Sequence, residues 1–151
     1  MVVLIGRGAA IVASWIGMTR QPIYLIERDD VVRDSLKVLL ESNGLEVEDF
    51  KTIAQMPCDD RFSRAGCLVL GFHRDISEGL ALTGALNESG RILPVIFIVG
   101  RDDAAAKAAA IRAGAFAYLE RPVKESTLIY AIKNALQSPR RAPRAVETTA
   151  L

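Results

Sequence analysis

Side chains that could do chemistry follow directly after short apolar runs in this sequence. Glu27 comes after an apolar run at residues 23–26, and His73 follows a second run at residues 67–70. If such runs are strands of an open parallel sheet, their carboxyl ends meet at one edge, where ligands bind. Gly71, which ends the second run, has no side chain with which to do chemistry. A lone histidine on a loop can bind a metal or a phosphoryl group, but it more often does neither.

The elements that would position these residues alternate along the chain. Apolar or alternating segments predict strands at residues 23–26, 45–48, 67–70, 94–99 and 115–119. Capping residues, glycine stops and apolar spacing predict four helices. The first begins after Asp29 or Asp30, and the second begins at Ser77 or Glu78. The third covers residues 104–113, capped by Asp102 and Asp103, and the fourth includes residues 128–136. Residues 51–65 are less regular and hold at most one short helix at 53–56 before Pro57. Five strand-then-helix units imply parallel strands with right-handed crossovers, a doubly wound α/β sandwich.

Composition and charge exclude only a few classes of function. The chain has 151 residues, of which half are apolar, and its 19 basic and 18 acidic residues give a net charge of +1. A near-neutral chain is not expected to coat nucleic acid or to attract an acidic ligand. Cys58 and Cys67 are too few for a disulfide framework or a zinc site, so we expect a reduced cytoplasmic setting.

The two ends of the chain differ from its middle. Residues 1–17 are apolar but too short and too interrupted for a membrane span, and we expect a non-native or mis-assigned leader with Met18 as the true start. Residues 138–151 combine prolines and arginines with small polar residues, which indicates a disordered tail or a truncated linker. The domain should therefore occupy residues 18–137.

Four segments in this order resemble a response-regulator receiver domain of the CheY-like type, in the branch of the nitrogen-fixation regulators. They are Tyr24-Leu25-Ile26-Glu27-Arg28-Asp29-Asp30, Gly66-Cys67-Leu68-Val69-Leu70-Gly71, Leu93-Pro94-Val95-Ile96-Phe97-Ile98-Val99-Gly100 and Gly114-Ala115-Phe116-Ala117-Tyr118-Leu119-Glu120-Arg121-Pro122. The resemblance implies a flavodoxin-like, five-stranded parallel sheet in the order 2-1-3-4-5 with helices on both faces. It also implies a role in two-component phosphorelay signalling in the cytoplasm.

The resemblance also assigns a phosphorylation pocket, and this sequence departs from it. Family members bind magnesium through an acidic pair, phosphorylate an aspartate, and contact the phosphoryl oxygens with a hydroxyl and a lysine. The matching positions hold Glu27 and Arg28 for the pair, Gly71 for the acceptor, Val99 for the hydroxyl and Arg121 for the lysine. Magnesium requires hard oxygen ligands and an acyl phosphate requires a carboxylate. We therefore expect a degenerate pocket with no metal, no cofactor and no catalytic residue.

Arg28 has two interpretations. Its guanidinium could fill the emptied metal position and pair with Glu27 or Asp29, or it could point into solvent as most surface arginines do. We expect the pairing.

The resemblance extends to a switch residue and a contact surface. Tyr118 matches the switch aromatic of the family, and Arg121-Pro122 matches a peptide bond that is cis there. Partner contacts are expected on the face made by the fourth helix, the fifth strand and the fifth helix, with Ala105, Ala109, Tyr118 and Ile129 as its residues. The partner would be a histidine kinase, another regulator or a second copy of the chain in a homodimer. We expect no membrane contact and no nucleic-acid binding by this chain alone.

These points favour a pseudo-receiver, a module that is not an enzyme and acts by phosphorylation-independent protein contact. The alternative is a receiver that uses a nonstandard acceptor such as Asp75, four residues beyond Gly71. A third interpretation, binding of another small ligand at the strand ends, ranks lower because no glycine-rich phosphate loop follows the first strand.

Overall fold

The computed structural model describes residues 21–57, 65–90, 93–100 and 103–137. The strands are β1 (Ile23–Ile26), β2 (Val47–Phe50), β3 (Cys67–Gly71), β4 (Val95–Val99) and β5 (Ala117–Glu120). The helices are α1 (Asp30–Ser42), α2 (Ser77–Glu88), α3 (Ala104–Ala113) and α4 (Glu125–Gln137), with a 3₁₀ turn at Ile53–Gln55. The predictions for the leader, the tail, Cys58 and Asp102 lie outside the described residues.

The five strands form one parallel sheet in the order β2-β1-β3-β4-β5. This is the predicted order 2-1-3-4-5, and it places β3 in the middle of the sheet. The register pairs Ile23 with Cys67 and Leu68 with Val95, so the strands end at the same edge. The predicted flavodoxin-like fold is confirmed.

Two apolar layers cover the two faces of the sheet. Strand residues that point to one face, including Tyr24, Leu70 and Phe97, pack with α2 and α3. Their neighbours on the other face, including Leu25 and Ile96, pack with α1 and α4. Because the central strands are buried on both sides, they appear in the sequence as continuous apolar runs rather than alternating ones.

Two strands begin two residues later than predicted, and helix ends explain both shifts. Leu45 donates its backbone N–H to the carbonyl of Leu40, 3.2 Å away, and Ala115 donates to Ala110 at 3.0 Å. Each bond closes the last turn of a helix, with Gly44 and Gly114 at positive φ as the stops. Leu45 and Ala115 therefore complete α1 and α3, and the strands start two residues later.

The capping predictions are confirmed where they are described. Asp29 accepts a hydrogen bond from Val32 N at the start of α1. Asp103 accepts from the amides of Ala105 and Ala106 at the start of α3.

Within the described ranges, no helix combines the length and the apolar character that crossing a bilayer requires.

Candidate functional site

The ends of four neighbouring strands bring the candidate residues together. Ladder hydrogen bonds continue one step past the strands: Glu27 N donates to Phe50 O, Phe72 N to Ile98 O and Arg121 N to Val99 O. The last of these bonds joins Arg121 to Val99, and the pairing of Ile26 with Leu70 places Glu27 beside Gly71. The four residues thus lie at the carboxyl edge of the sheet, as the parallel topology requires.

Glu27 is the centre of this edge. Its side chain is fully buried, and a buried carboxylate is costly unless it is paired and hydrogen-bonded. Arg121 Nη2 lies 3.0 Å from Oε1, while Asp29 N and His73 Nε2 lie 2.9 and 3.1 Å from Oε2. Three partners from three segments of the chain therefore stabilise this carboxylate.

Gly71 leaves the space that the Glu27 carboxylate occupies. A Cβ atom built at position 71 would collide with Glu27 Oε1 and would lie 3.1 Å from Arg121 Nη2. An aspartate at this position would have to compete with the carboxylate of Glu27 for the same volume. Any larger residue at position 71 would therefore force the Glu27 carboxylate out of its observed position.

His73 belongs to the pocket, which the sequence alone did not predict. Because a carboxylate can only accept, the contact with Glu27 places a proton on Nε2. In the neutral imidazole, Nδ1 is then an acceptor, and it faces Arg121 Nη1 at 3.4 Å. His73 thus bridges the acid and the base of the ion pair, while about half of its side chain remains in solvent.

Arg33 is a second residue that the sequence analysis missed. Its guanidinium donates to the backbone carbonyl of Glu27 at 2.8 Å and also contacts the carboxylates of Asp30 and Asp49. These contacts tie α1 and β2 to the segment that carries Glu27. The sequence signal for this role is weak: an arginine near the start of a helix, followed by an aspartate in the next strand.

The expected pairing of Arg28 is wrong. Arg28 is exposed and forms no ion pair with Glu27 or Asp29 in the described structure. The strand ends at Ile26, and Arg28 lies at a bend with its side chain exposed while Glu27 is buried. The guanidinium that reaches Glu27 comes instead from Arg121, 94 residues away in sequence.

The residues present do not fit the magnesium ion that the resemblance implies. Both oxygens of Glu27 already accept from cationic, imidazole or amide donors, and Gly71 supplies no ligand. No cluster of three or more histidine, cysteine or acidic side chains suited to a metal occurs in the described part of the chain. The arrangement therefore supports an ion pair between Arg121 and Glu27, together with hydrogen bonds from His73 and Asp29 N to the same carboxylate anion.

The five-stranded fold spans a part of the chain that matches a known family model. The family model for the response regulator receiver domain matches residues 23–133. The chain belongs to the response regulator receiver family.

Curated relatives of this receiver domain include full-length regulators. The response regulator protein TodT of Pseudomonas putida is 36% identical over 129 residues, which cover 83% of this chain and 57% of TodT. The transcriptional regulatory protein FixJ of Azorhizobium caulinodans is 33% identical over 120 residues, covering 76% and 54%. The chain thus spans little more than half the length of these relatives.

Solved structures support the same fold. A response regulator receiver domain protein from Clostridium thermocellum superposes with a TM-score of 0.63 at 23% identity, covering 77% of this chain and 94% of the other. Full-length FixJ from B. japonicum superposes with a TM-score of 0.63 at 23% identity, covering 78% and 58%. These likenesses concern the fold alone.

A row of aromatic rings lies under the pocket of the receiver domain. Phe72 and Phe97 have ring centroids 5.7 Å apart, and Phe97 stacks on Tyr118 at 6.4 Å. Gly79 allows this packing, since a Cβ there would lie 2.6 Å from the Phe72 ring. Tyr118, the predicted switch aromatic, is therefore half-buried against Phe97.

The predicted cis peptide bond between Arg121 and Pro122 is present.

Asp75 does not join Glu27 and Arg121. Its Oδ1 accepts hydrogen bonds from the backbone N–H and the hydroxyl of Ser77 at the start of α2. The hydroxyl bond and the amide bond lower the pKa of Asp75. The carboxylate is thus exposed and engaged by the first turn of a helix.

The expected contact surface needs one correction. Ile129 is buried, together with Leu128 and Ile132, against the sheet, because apolar residues at helical spacing form the inner side of α4. Ala105 is exposed and Ala109 half-buried on α3. The large apolar side chains that face solvent on this side are Ile111, Phe116 and Tyr130.

Proposed function

We propose that this receiver domain signals by contact with another protein and does not take up a phosphoryl group. The observation that carries the proposal is the position of the Glu27 carboxylate. It fills the volume in front of Gly71 and is already paired with Arg121, the residue at the position of the family lysine. An internal ion pair thus stands where the resemblance puts the phosphorylated aspartate and its lysine.

The chemistry of the neighbouring positions supports the same proposal. Gly71 offers no oxygen that could form an acyl phosphate. Val99 is buried and has no hydroxyl with which to contact a phosphoryl oxygen. The domain would act as a pseudo-receiver in the cytoplasm, as a binding module rather than an enzyme.

The alternative is phosphorylation at Asp75. The bond to Ser77 turns this carboxylate toward α2, and phosphorylation would require the loop to refold toward Arg121. We therefore rank it second.

Phosphorylation can be tested directly by mass spectrometry. Wild type and Asp75→Asn are incubated with acetyl phosphate and Mg²⁺, and their intact masses are compared with those of a receiver domain that has the usual acceptor aspartate. We expect an added phosphoryl group on the reference domain alone. An adduct on the wild type that is absent from Asp75→Asn would support the alternative, and an adduct on both would overturn both interpretations.

We propose the surface of α3, β5 and α4 as the contact surface. Tyr130 is 70% exposed, and Ile111 and Phe116 add apolar area on the neighbouring elements. Large contiguous patches of exposed apolar area mark interaction sites, and we take these three side chains as parts of one such patch. A histidine kinase, another regulator and a second copy of the chain are the candidate partners.

Paired surface variants test this assignment. Tyr130→Glu places a charge on the proposed surface, and Val31→Glu makes the same change on α1, where Val31 is 75% exposed. Self-association by sedimentation and co-purification from the source cell should both be weakened by Tyr130→Glu alone. Equal effects of the two variants, or no effect of Tyr130→Glu on any specific partner, would contradict the assignment.

A further inference from the structure

A cavity of about 370 Å³ opens beside the Glu27 pocket, between the loop after β3, the end of β4 and the first turn of α3. Its lining residues are His73, Arg74, Ile76, Val99, Gly100, Asp103, Ala106 and Tyr118. Its volume falls at the lower end of the range found for small-molecule sites, about 300–1,000 Å³. The cavity is therefore large enough for a compact organic molecule.

Close backbone packing shapes one wall of the cavity. A Cβ atom at Gly100 would lie 2.6 Å from the carbonyl oxygen of His73, so the glycine lets the loop after β3 approach the end of β4. The ring of Tyr118 is held from behind by Phe97. Two walls of the cavity are thus set by contacts that exist without a ligand.

The lining combines an apolar side with polar residues, among which Arg74 and Asp103 carry opposite charges. Ile76, Val99, Ala106 and the ring of Tyr118 supply the apolar part. Arg74 is exposed, and within the described ranges its guanidinium forms no hydrogen bond or ion pair.

The carboxylates near this cavity are already engaged. Asp103 accepts from the amides of Ala105 and Ala106, and Asp75 accepts from Ser77. Arg121 is paired with Glu27, so among the described residues that line the cavity Arg74 is the arginine that no carboxylate engages.

We propose that this cavity binds a small organic anion, with an apolar body against Val99, Ala106 and Tyr118 and a carboxylate on Arg74. An arginine fork matches a carboxylate with two parallel hydrogen bonds, and the apolar wall favours a body that is not itself charged. The cavity borders the protein contact surface proposed above, because Ala106 and Tyr118 belong to α3 and β5. Its occupancy requires neither phosphorylation nor a metal.

The test uses the isotope-labelled full chain and cyclohexanecarboxylate, with cyclohexanecarboxamide and acetate as controls. We expect saturable amide shifts at Val99, Ala106 and Tyr118 with the acid, in the micromolar to millimolar range. The carboxamide lacks the charge and acetate lacks the apolar body, so each should bind at least about tenfold more weakly.

Variants at three positions assign the binding to named side chains. Arg74→Gln should weaken the acid at least about tenfold, because one charged hydrogen-bonding group is lost. Arg112→Gln removes an exposed arginine at the far end of α3 and should leave the affinity unchanged. Ala106→Leu should abolish the saturable shifts by filling the cavity, and the milder Ala106→Val should reduce them if the leucine variant does not fold.

Four results would overturn the proposal. They are the absence of saturable shifts at the lining residues, equal binding of acid and carboxamide, equal loss in the Arg74 and Arg112 variants, and unchanged binding in a folded Ala106→Leu variant. All measurements are made without a phosphodonor, so their outcome does not depend on whether the domain can be phosphorylated.

Discussion

The packing of Glu27 against Gly71 makes the substitution Gly71→Ala the sharpest test of the pocket. The change adds a single methyl group at the end of the central strand. In the structure that methyl would collide with Glu27 Oε1 and press on Arg121 Nη2. The carboxylate would have to move away from partners that it contacts at 2.9 to 3.1 Å.

The expected cost follows from these contacts. Overpacking a filled site costs about 1–3 kcal/mol, and losing a hydrogen bond to a charged group costs about 1.5–3 kcal/mol. The two costs overlap because moving the carboxylate relieves the collision. We expect the free energy of unfolding to fall by about 2–3 kcal/mol and the melting temperature by roughly 5–10 °C.

The assay is urea unfolding followed by far-ultraviolet circular dichroism, with Gly84→Ala as the matched control. Gly84 lies inside α2, and a Cβ there would meet no atom within 4 Å. This control should be neutral or should stabilise the domain by about 0.5–1 kcal/mol, since alanine favours helix. A cost for Gly71→Ala no larger than that of the control would refute the reasoning.

Combining Gly71→Ala with each of two Glu27 variants separates the steric collision from the effect of the charge. In Glu27→Ala the colliding oxygen is gone, so Gly71→Ala should cost at least about 1 kcal/mol less than in the wild type. In Glu27→Gln the bulk remains, so the cost should stay close to the wild-type value. Equal costs in the alanine and wild-type backgrounds would show that Glu27 does not occupy the volume in front of Gly71.

Three further predictions concern the ion pairs and the core. Arg121→Met should cost about 2–3 kcal/mol in urea unfolding, since it removes the guanidinium partner of the buried Glu27. Burial raises the pKa of the Cys67 thiol, so iodoacetamide should modify it only after unfolding, as judged by peptide mass spectrometry. At Asp49, burial opposes ionisation, but hydrogen bonds from Lys37 and Arg33 outweigh it and lower the pKa. Asp49→Asn should therefore cost about 1 kcal/mol at neutral pH and nearly nothing below that lowered pKa, where both states are protonated.

The strands and helices could be predicted because local patterns carry most of their signal. The continuous apolar runs of β3 and β4 reflect burial on both faces, and glycine stops mark the ends of α1 and α3. The shifts at Leu45 and Ala115 arose because an apolar residue that closes a helix has the same appearance in sequence as one that begins a strand. Ile129 was misassigned to the surface for a related reason, since spacing alone does not say which neighbour an apolar side chain meets.

Local patterns in the sequence were enough to predict the order of the elements, the parallel sheet and the strand ends at which Glu27, Gly71, Val99 and Arg121 lie. That Arg121 rather than Arg28 pairs with Glu27, and that His73 joins them, became visible in the folded chain alone. The physical reason is that strand and helix formation depends on neighbours close in sequence. The partner of a buried charge depends on which distant side chain the fold brings within hydrogen-bonding distance.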